Sequence, residues 1–486
     1  WSSDVCSSDL QMSADIGIFG LSTRANNLAV HFALQGLEVA IGNRSSDMIK
    51  ECTKLAEKKE VDDKITGTKD VTAFCNSLSS PRKVIFLGKA GSTIEKNLSK
   101  VVPCLESGDI VVDASSDGFE TCVRRAKEME EKGIRYMTMC MLGSVRDALK
   151  GCGFLVSGDR SAYDELEVVL KKAAREDEYE SAVAYMGPSV SASYLDTVLY
   201  GMVTAEETSL SEAYAMLLAA GFTNEEVGKS MGGWNKEELE GPLVEEAVTV
   251  LRKRDEEEGD VYVVDKVVDS ARMMTDAAAL MHEMNERHKN VATVAEAVSE
   301  ALLARESEVR AKLSETAARP SFDWQKLDHV QLVEDLRNAV ICATVMTFIQ
   351  GFQLLQAASG DYEWSVSCEE TARVVAMSSV GRCGAVTLVN EALEENPTNA
   401  LASKAVCELL QKKQMSWRRV VALGVVSGVS MPVITSALSS FDCGRREKLP
   451  QNLVQAQRDF YASTMFERVD QARGITYHCR WTEDHN

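Results

Sequence analysis

Asp15-Ile-Gly-Ile-Phe19-Gly20-Leu-Ser-Thr-Arg24-Ala25 is the stretch on which the fold turns. A short apolar run ends at a glycine, and an amphipathic segment over residues 23–35 follows at once. A glycine directly after a first strand lets the chain turn so that helix-start amides face a pyrophosphate. The dinucleotide fingerprint GxGxxG is reduced here to Gly20 and Ala25, with Ser22 at its middle position. A dinucleotide turn and a plain helix-packing turn both remain open on this stretch alone.

Working outward, short runs rich in Val and Ile recur at 39–41, 84–87, 110–112, 134–137 and 154–156. They alternate with helix-sized segments such as 92–105, the pattern of a parallel α/β sheet. The second run leads into Asn43-Arg44-Ser45, where NAD-binding folds often place an acid for the ribose hydroxyls. Arg44 stands there instead. A guanidinium suits a 2′-phosphate, so any dinucleotide bound is expected to be NADP rather than NAD.

Beyond about residue 185 the strand-like runs stop. Helical periodicity takes over at 205–220, 237–254, 291–315, 328–358, 371–394 and 400–413, as in a large all-helical domain. Two uncharged stretches, 338–360 and 420–441, are long enough to need a membrane check. Gln350, Gln353 and Gln356 interrupt the first, and Gly424, Gly428, Ser430 and Pro432 the second. Polar groups at that density fit buried core helices better than lipid.

The net charge of −21 argues against a nucleic-acid partner. With 45% hydrophobic residues and only 8 prolines, the 486-residue chain can bury a large core. Thirteen scattered cysteines without a CxxC pair favour a reducing, cytoplasmic setting over a disulfide framework. The six histidines have no metal-ligand spacing, so no metal is expected. Residues 1–11 contain a near-repeat, Ser-Ser-Asp-Val-Cys and Ser-Ser-Asp-Leu, and we read them as a non-native leader.

Several motifs together resemble the NADP-dependent, decarboxylating 6-phosphogluconate dehydrogenases. They include Gly20-Leu, Asn43-Arg44-Ser45, Lys89-Ala-Gly91, Gly108-Asp-Ile-Val-Val-Asp113 and Trp234-Asn-Lys236. The C-terminal ones match best: Gln350-Gly-Phe352, Ser416-Trp-Arg-Arg419, Met431-Pro432 and Leu453-Val-Gln-Ala-Gln-Arg458-Asp-Phe460. The resemblance implies a Rossmann-like NADP-binding domain over 12–187, an all-helical domain over 188–447 and a tail over 448–486. It implies a homodimer whose tail packs on the partner subunit, and leaves room for a larger assembly. The cofactor positions it implies are Gly20, Arg24, Ala25, Asn43, Arg44, Ser45, Lys89 and Ser116. Arg24, inside the phosphate turn, either grips a pyrophosphate or blocks it.

The same resemblance implies that the chemistry is gone. In the family a lysine takes the proton of the sugar 3-hydroxyl, and a glutamate later protonates the enediol. Aligned without gaps from Glu212-Ala-Tyr214, the lysine falls on Asp196, a His-Asn pair on Leu199 and Tyr200, and a Glu-Tyr pair on Val203 and Thr204. Between Lys172 and Lys229 the only basic residue is Arg175, so no basic side chain of that helix can substitute.

Other contacts of the family pattern are replaced as well. Its Ser-Gly-Gly loop reads Leu142-Gly143-Ser144, and its Asp-Gly-Gly-Asn segment reads Asp113-Ala-Ser-Ser116. A lysine-rich segment reads Met273-Met-Thr-Asp276. The phosphate-binding arginine falls on Ala301, with Arg305 one turn away, and in the tail Arg458 remains while a histidine becomes Thr464. The family's substrate carries about three negative charges, from a carboxylate and a phosphate ester. Each lost charge-assisted contact costs about 1.5–3 kcal/mol.

These residues point to a pseudoenzyme with a structural or binding role, which either keeps or has lost NADP. The alternatives are an active NADP-dependent 6-phosphogluconate dehydrogenase with a displaced catalytic set, or an oxidoreductase acting on an uncharged or cationic substrate with Asp196 as base.

Overall fold

The computed structural model describes residues 13–88, 91–177, 180–271 and 277–482. The suspected leader, Lys89, and the 273–276 segment with Asp276 lie outside the described residues. The chain divides into two compact units, Trp1–Ala437 and Leu438–Asn486.

The first unit opens with an eight-stranded sheet. Its strands are β1 (Ile16–Phe19), β2 (Val39–Gly42), β3 (Ile65–Thr68), β4 (Lys83–Phe86), β5 (Ile110–Asp113), β6 (Arg135–Leu142), β7 (Gly153–Gly158) and β8 (Val183–Tyr185). The spatial order is β3-β2-β1-β4-β5-β6-β7-β8, so the topology switches between β1 and β4. Helices α1 (Thr23–Leu34), α2 (Ser46–Lys58), α3 (Val71–Asn76), α4 (Ser92–Val101), α5 (Phe119–Glu130) and α6 (Arg160–Ala173) supply the connections. Both faces of β1, β2 and β5 are buried, which is why their sequences are continuous apolar runs rather than alternating ones.

The expectation of a parallel sheet needs one correction. β7 runs antiparallel to β6, from Met137 opposite Gly158 to Leu142 opposite Gly153. The short connection between them, which carries Ser144 and Asp147, reverses the chain without a crossover helix.

The helical part begins with α7 (Ser191–Ala219), which packs against the 33-residue helix His329–Asp361. Gly351 sits at the closest approach, where an added Cβ would lie 2.0 Å from the Met202 sulfur. Next to it, Gln350 Oε1 accepts from the Thr293 amide and hydroxyl at 3.2 and 3.0 Å. The most apolar window of the His329–Asp361 helix is 94% buried within the unit, as expected of a core helix. The 420–441 stretch breaks at Gly428, a left-handed cap between the helices Lys404–Ser427 and Pro432–Gly444.

Two expected long helices are each divided. Residues 291–315 form Ala292–Ala304 and Ser307–Thr316, and residues 371–394 fall into Cys368–Met377 and Gly384–Glu395.

The second unit holds the helix Gln451–Ala462 and a small hairpin, Phe466–Glu467 with Thr476–Tyr477. Asp459, fully buried, ties it together. Its carboxylate accepts from the Met465 and Cys479 amides at 2.8 and 3.1 Å and from Trp481 Nε1 at 2.8 Å. With His478 Nδ1 at 3.0 Å, these donors hold its carboxyl far below the ordinary range.

Candidate functional site

The carboxyl ends of β1, β4, β5 and β6 lie along one edge of the sheet and α7 packs against β6, so this edge holds most of the residues singled out in the sequence. At β1, Gly20 has φ +95°, and an added Cβ would lie 2.6 Å from Asn97 Nδ2. Only glycine fits there. Ser22 caps α1 by accepting the Ala25 amide at 3.2 Å, and Ala25 is fully buried beneath the turn. At the end of β2, Asn43 Oδ1 accepts the Arg44 amide at 2.9 Å, and Ser45 caps α2. Arg44 and Ser45 are exposed.

Arg24 leaves this turn for the other side of the switch point. Its Nη2 donates to the carbonyls of Met141 and Gly143, at 2.6 and 2.8 Å, on the last turn of β6. Its buried Nε has no hydrogen-bond partner. A second tie runs alongside, from Asn27 Nδ2 to the Val145 carbonyl at 2.7 Å. Sequence reasoning left open whether Arg24 grips or blocks a pyrophosphate; in the structure its guanidinium is held at the end of β6.

Asp196 faces the same space from α7. It accepts from the Cys140 thiol at 3.0 Å, with the Ser116 hydroxyl and the Arg24 charge also acting on it. Burial outweighs all three and pushes its carboxyl up to about 6. Burial and Asp196 together push the Cys140 thiol well above the ordinary range, so it stays a neutral donor. The Tyr200 phenol is raised by burial and by Asp196, with Arg24 opposing as its hydrogen-bond partner. Leu199 is buried, and Val203 and Thr204 are half-buried. Thr204 donates its hydroxyl back to the Tyr200 carbonyl at 2.8 Å, inside its own helix.

The Leu142-Gly143-Ser144 loop is closed upon itself. The Ser144 amide donates to Asp147 Oδ2 at 2.7 Å, and the Ser144 and Ser379 hydroxyls donate to the same oxygen. Those donors are therefore engaged within the protein. Sequence reasoning missed Asp147, Ser379 and Cys140, and no short-range pattern marks them.

At the end of β5 a buried ion cluster surrounds Arg125. Its guanidinium contacts Asp113 and Asp117 at 2.7 Å and Glu95 at 2.9 Å. Asp113 also accepts from the Tyr136 hydroxyl, and Asp117 from the Gly91 amide that opens α4. Arg305 and Arg458 are both exposed. Arg305 lies in the first unit and Arg458 in the second, each described on its own terms.

Comparison with known proteins gives one answer over nearly the whole length. Residues 15–187 match the family model described as the NAD binding domain of 6-phosphogluconate dehydrogenase. Residues 192–481 match the model of its C-terminal domain. A decarboxylating 6-phosphogluconate dehydrogenase of Spinacia oleracea is 30% identical over 94% of this chain and 95% of its own length. The NADP(+)-dependent enzyme of Bacillus subtilis is 29% identical over 96% and 98%. The Plasmodium falciparum enzyme, solved in apo form and with NADP+ and 6-phosphogluconate, superposes with a TM-score of 0.89 at 27% identity, covering 96% of this chain and all of that one. This chain belongs to the 6-phosphogluconate dehydrogenase family.

Proposed function

We propose that this chain is a non-catalytic member of its family, a binding or structural protein that keeps a nucleotide site and does not oxidise and decarboxylate 6-phosphogluconate. The observation that carries this reading is the pairing of Asp196 with Cys140 where the resemblance places a lysine. Among the described residues Arg24 is a cation that reaches the end of β6, and a guanidinium is not a proton acceptor. The loop matching the family's carboxylate-holding segment uses its donors on Asp147.

The residues on β1 and β2 suit the adenosine half of NADP. Gly20 takes the left-handed backbone of the turn with Asn97 Nδ2 packed over it, and Arg44 is exposed with no ion pair among the described residues. Across the switch point, the Arg24 guanidinium is held by the Met141 and Gly143 carbonyls.

Pairing of two copies is part of the same reading. Leu302, Leu303, Val309 and Leu313 are each more than half exposed on two consecutive helices, a density of apolar surface typical of a covered face.

One observation favours chemistry of another kind. A carboxyl titrating near 6 lies in the range of a general base. Arg24 beside it would repel a cationic substrate, which weakens that alternative.

The test is to incubate the protein with NADP+ and 6-phosphogluconate and follow NADPH absorbance. No turnover is expected. Turnover of about 1 per second or more, the ordinary enzymatic range, would overturn the reading.

A further inference from the structure

Two cysteines from different elements meet on one face of the sheet. Cys75 stands near the end of α3, buried in the apolar cluster that holds Phe19, Phe74 and Phe86. Cys104 closes a single helical turn, Val102–Cys104, directly after α4. It packs against the same cluster and stays partly exposed. That turn and α3 are in contact. The two thiols share a hydrogen bond, and the Cys104 thiol also reaches the Lys100 carbonyl at 3.9 Å. No CxxC spacing marks this pair in the sequence, because only the fold brings it together.

A disulfide demands side chains that converge, and thiols already in hydrogen-bond contact do so. Their surroundings set the order in which they react. Burial pushes the Cys75 thiol up to about 12, with Cys104 and Asp109 adding to the rise and the Arg82 guanidinium opposing it. Arg82 is fixed in place: its Nε donates to the Cys75 carbonyl at 3.1 Å and its Nη1 to Asp109 at 3.0 Å. Cys75 is shielded from reagents in solution, whereas Cys104 is open to them.

We propose that Cys75 and Cys104 form a dithiol site that low-molecular-weight disulfides oxidise to an intramolecular bridge, with Cys104 attacking and Cys75 resolving. In the first step the Cys104 thiolate attacks one sulfur of the reagent and expels the other as a thiolate, which takes up the proton that Cys104 lost. In the second step the Cys75 sulfur displaces the remaining half of the reagent from Cys104, and the Cys75 proton goes to that leaving group. The protein is oxidised by two electrons, and the reagent departs as two thiols. In a reducing compartment such a bridge is transient rather than structural. It closes a ring containing β4 and α4 and so restricts the unfolded chain.

The test is to incubate the full chain with oxidised glutathione, quench by alkylation and map the peptides by mass spectrometry. Mapping keeps reaction at exposed Cys407 and Cys443 separate. The wild type should give a Cys75–Cys104 cross-link lighter by two hydrogens, and a raised thermal midpoint that dithiothreitol reverses. Cys75→Ser should stop at a glutathione adduct on Cys104, and Cys104→Ser should leave Cys75 unmodified. A glutathione adduct on wild-type Cys104 without the cross-link would show that the sulfurs do not reach one another, and would overturn the proposal. Reaction of Cys75 in Cys104→Ser, or no modification of either residue in the wild type, would overturn it as well. If Cys75→Ser fails to fold, the wild type and Cys104→Ser decide the matter.

Discussion

Glu212 and Asp196 stand on the same helix, α7, about 24 Å apart along its axis. Desolvation pushes both carboxyls up, Glu212 to about 8 and Asp196 to about 6, and they differ in what they hold. Glu212 accepts the amides of Val433 and Ile434, at 2.7 and 2.9 Å, and so caps the helix Pro432–Gly444 from across the fold. Asp196 is met by a thiol. The first carboxyl satisfies backbone donors that have no other partner, so its identity is tied to the packing. The second accepts from side chains, Cys140 and Ser116, and holds no backbone amide among the described residues.

The same contrast runs through the motifs that revealed the family. Gln350, Gly351, Trp417 and Arg419 all serve packing: Trp417 donates to the Ile434 carbonyl at 3.0 Å, and Arg419 grips Asp335 at 2.7 and 2.6 Å. Gln350, Trp417 and the Asp335 that exposed Arg419 grips are buried hydrogen-bond nodes, which tolerate few residues.

Removing the Glu212 carboxylate should break the contrast hardest. Glu212→Ala leaves the Val433 and Ile434 amides without acceptors and should cost about 2–6 kcal/mol in denaturant unfolding, at about 1–3 kcal/mol per orphaned group. A loss below about 1 kcal/mol would mean that water replaces the cap.

Asp196 should show the reverse sign. Its folded-state carboxyl is raised to about 6, above the unfolded value near 3.9. The folded chain therefore binds more protons between about pH 4 and 6, and Asp196 costs stability increasingly as pH rises through that window. Asp196→Asn keeps an acceptor for Cys140 and removes the charge. Relative to wild type it should gain up to about 3 kcal/mol from pH 4 to pH 7. Equal pH profiles for the two proteins would show that Asp196 is solvated.

The smallest effect belongs to Thr204, whose hydroxyl serves only its own helix turn. Thr204→Ala should change stability by no more than about 0.5 kcal/mol. A larger loss would place Thr204 among the packing nodes.

Much of this fold was legible in the chain, for identifiable reasons. β1, β2 and β5 announced themselves because burial on both faces demands unbroken apolar runs. β3 did not, since Ile65-Thr-Gly-Thr68 is a partly exposed edge strand. β8 is only three residues long. The antiparallel course of β7 was hidden because an apolar run carries no direction. The break after Ala304 has no Gly or Pro to mark it.

In the cleft, the identity of Asp196 was plain. Its surroundings were not. Arg24 and Met141 are 117 positions apart, and Cys140 and Asp196 are 56 apart, so only the folded chain brings them together.

On the proposed non-catalytic reading, the packing nodes stand while the residues around Arg24 and Asp196 no longer take the family's substrate. Calorimetric titration of the intact protein with 6-phosphogluconate tests it most directly. We predict no saturable binding up to about 1 mM, the range of a site that has lost its charge-assisted contacts. A dissociation constant of about 10 μM or tighter, comparable to a productive substrate site, would contradict it.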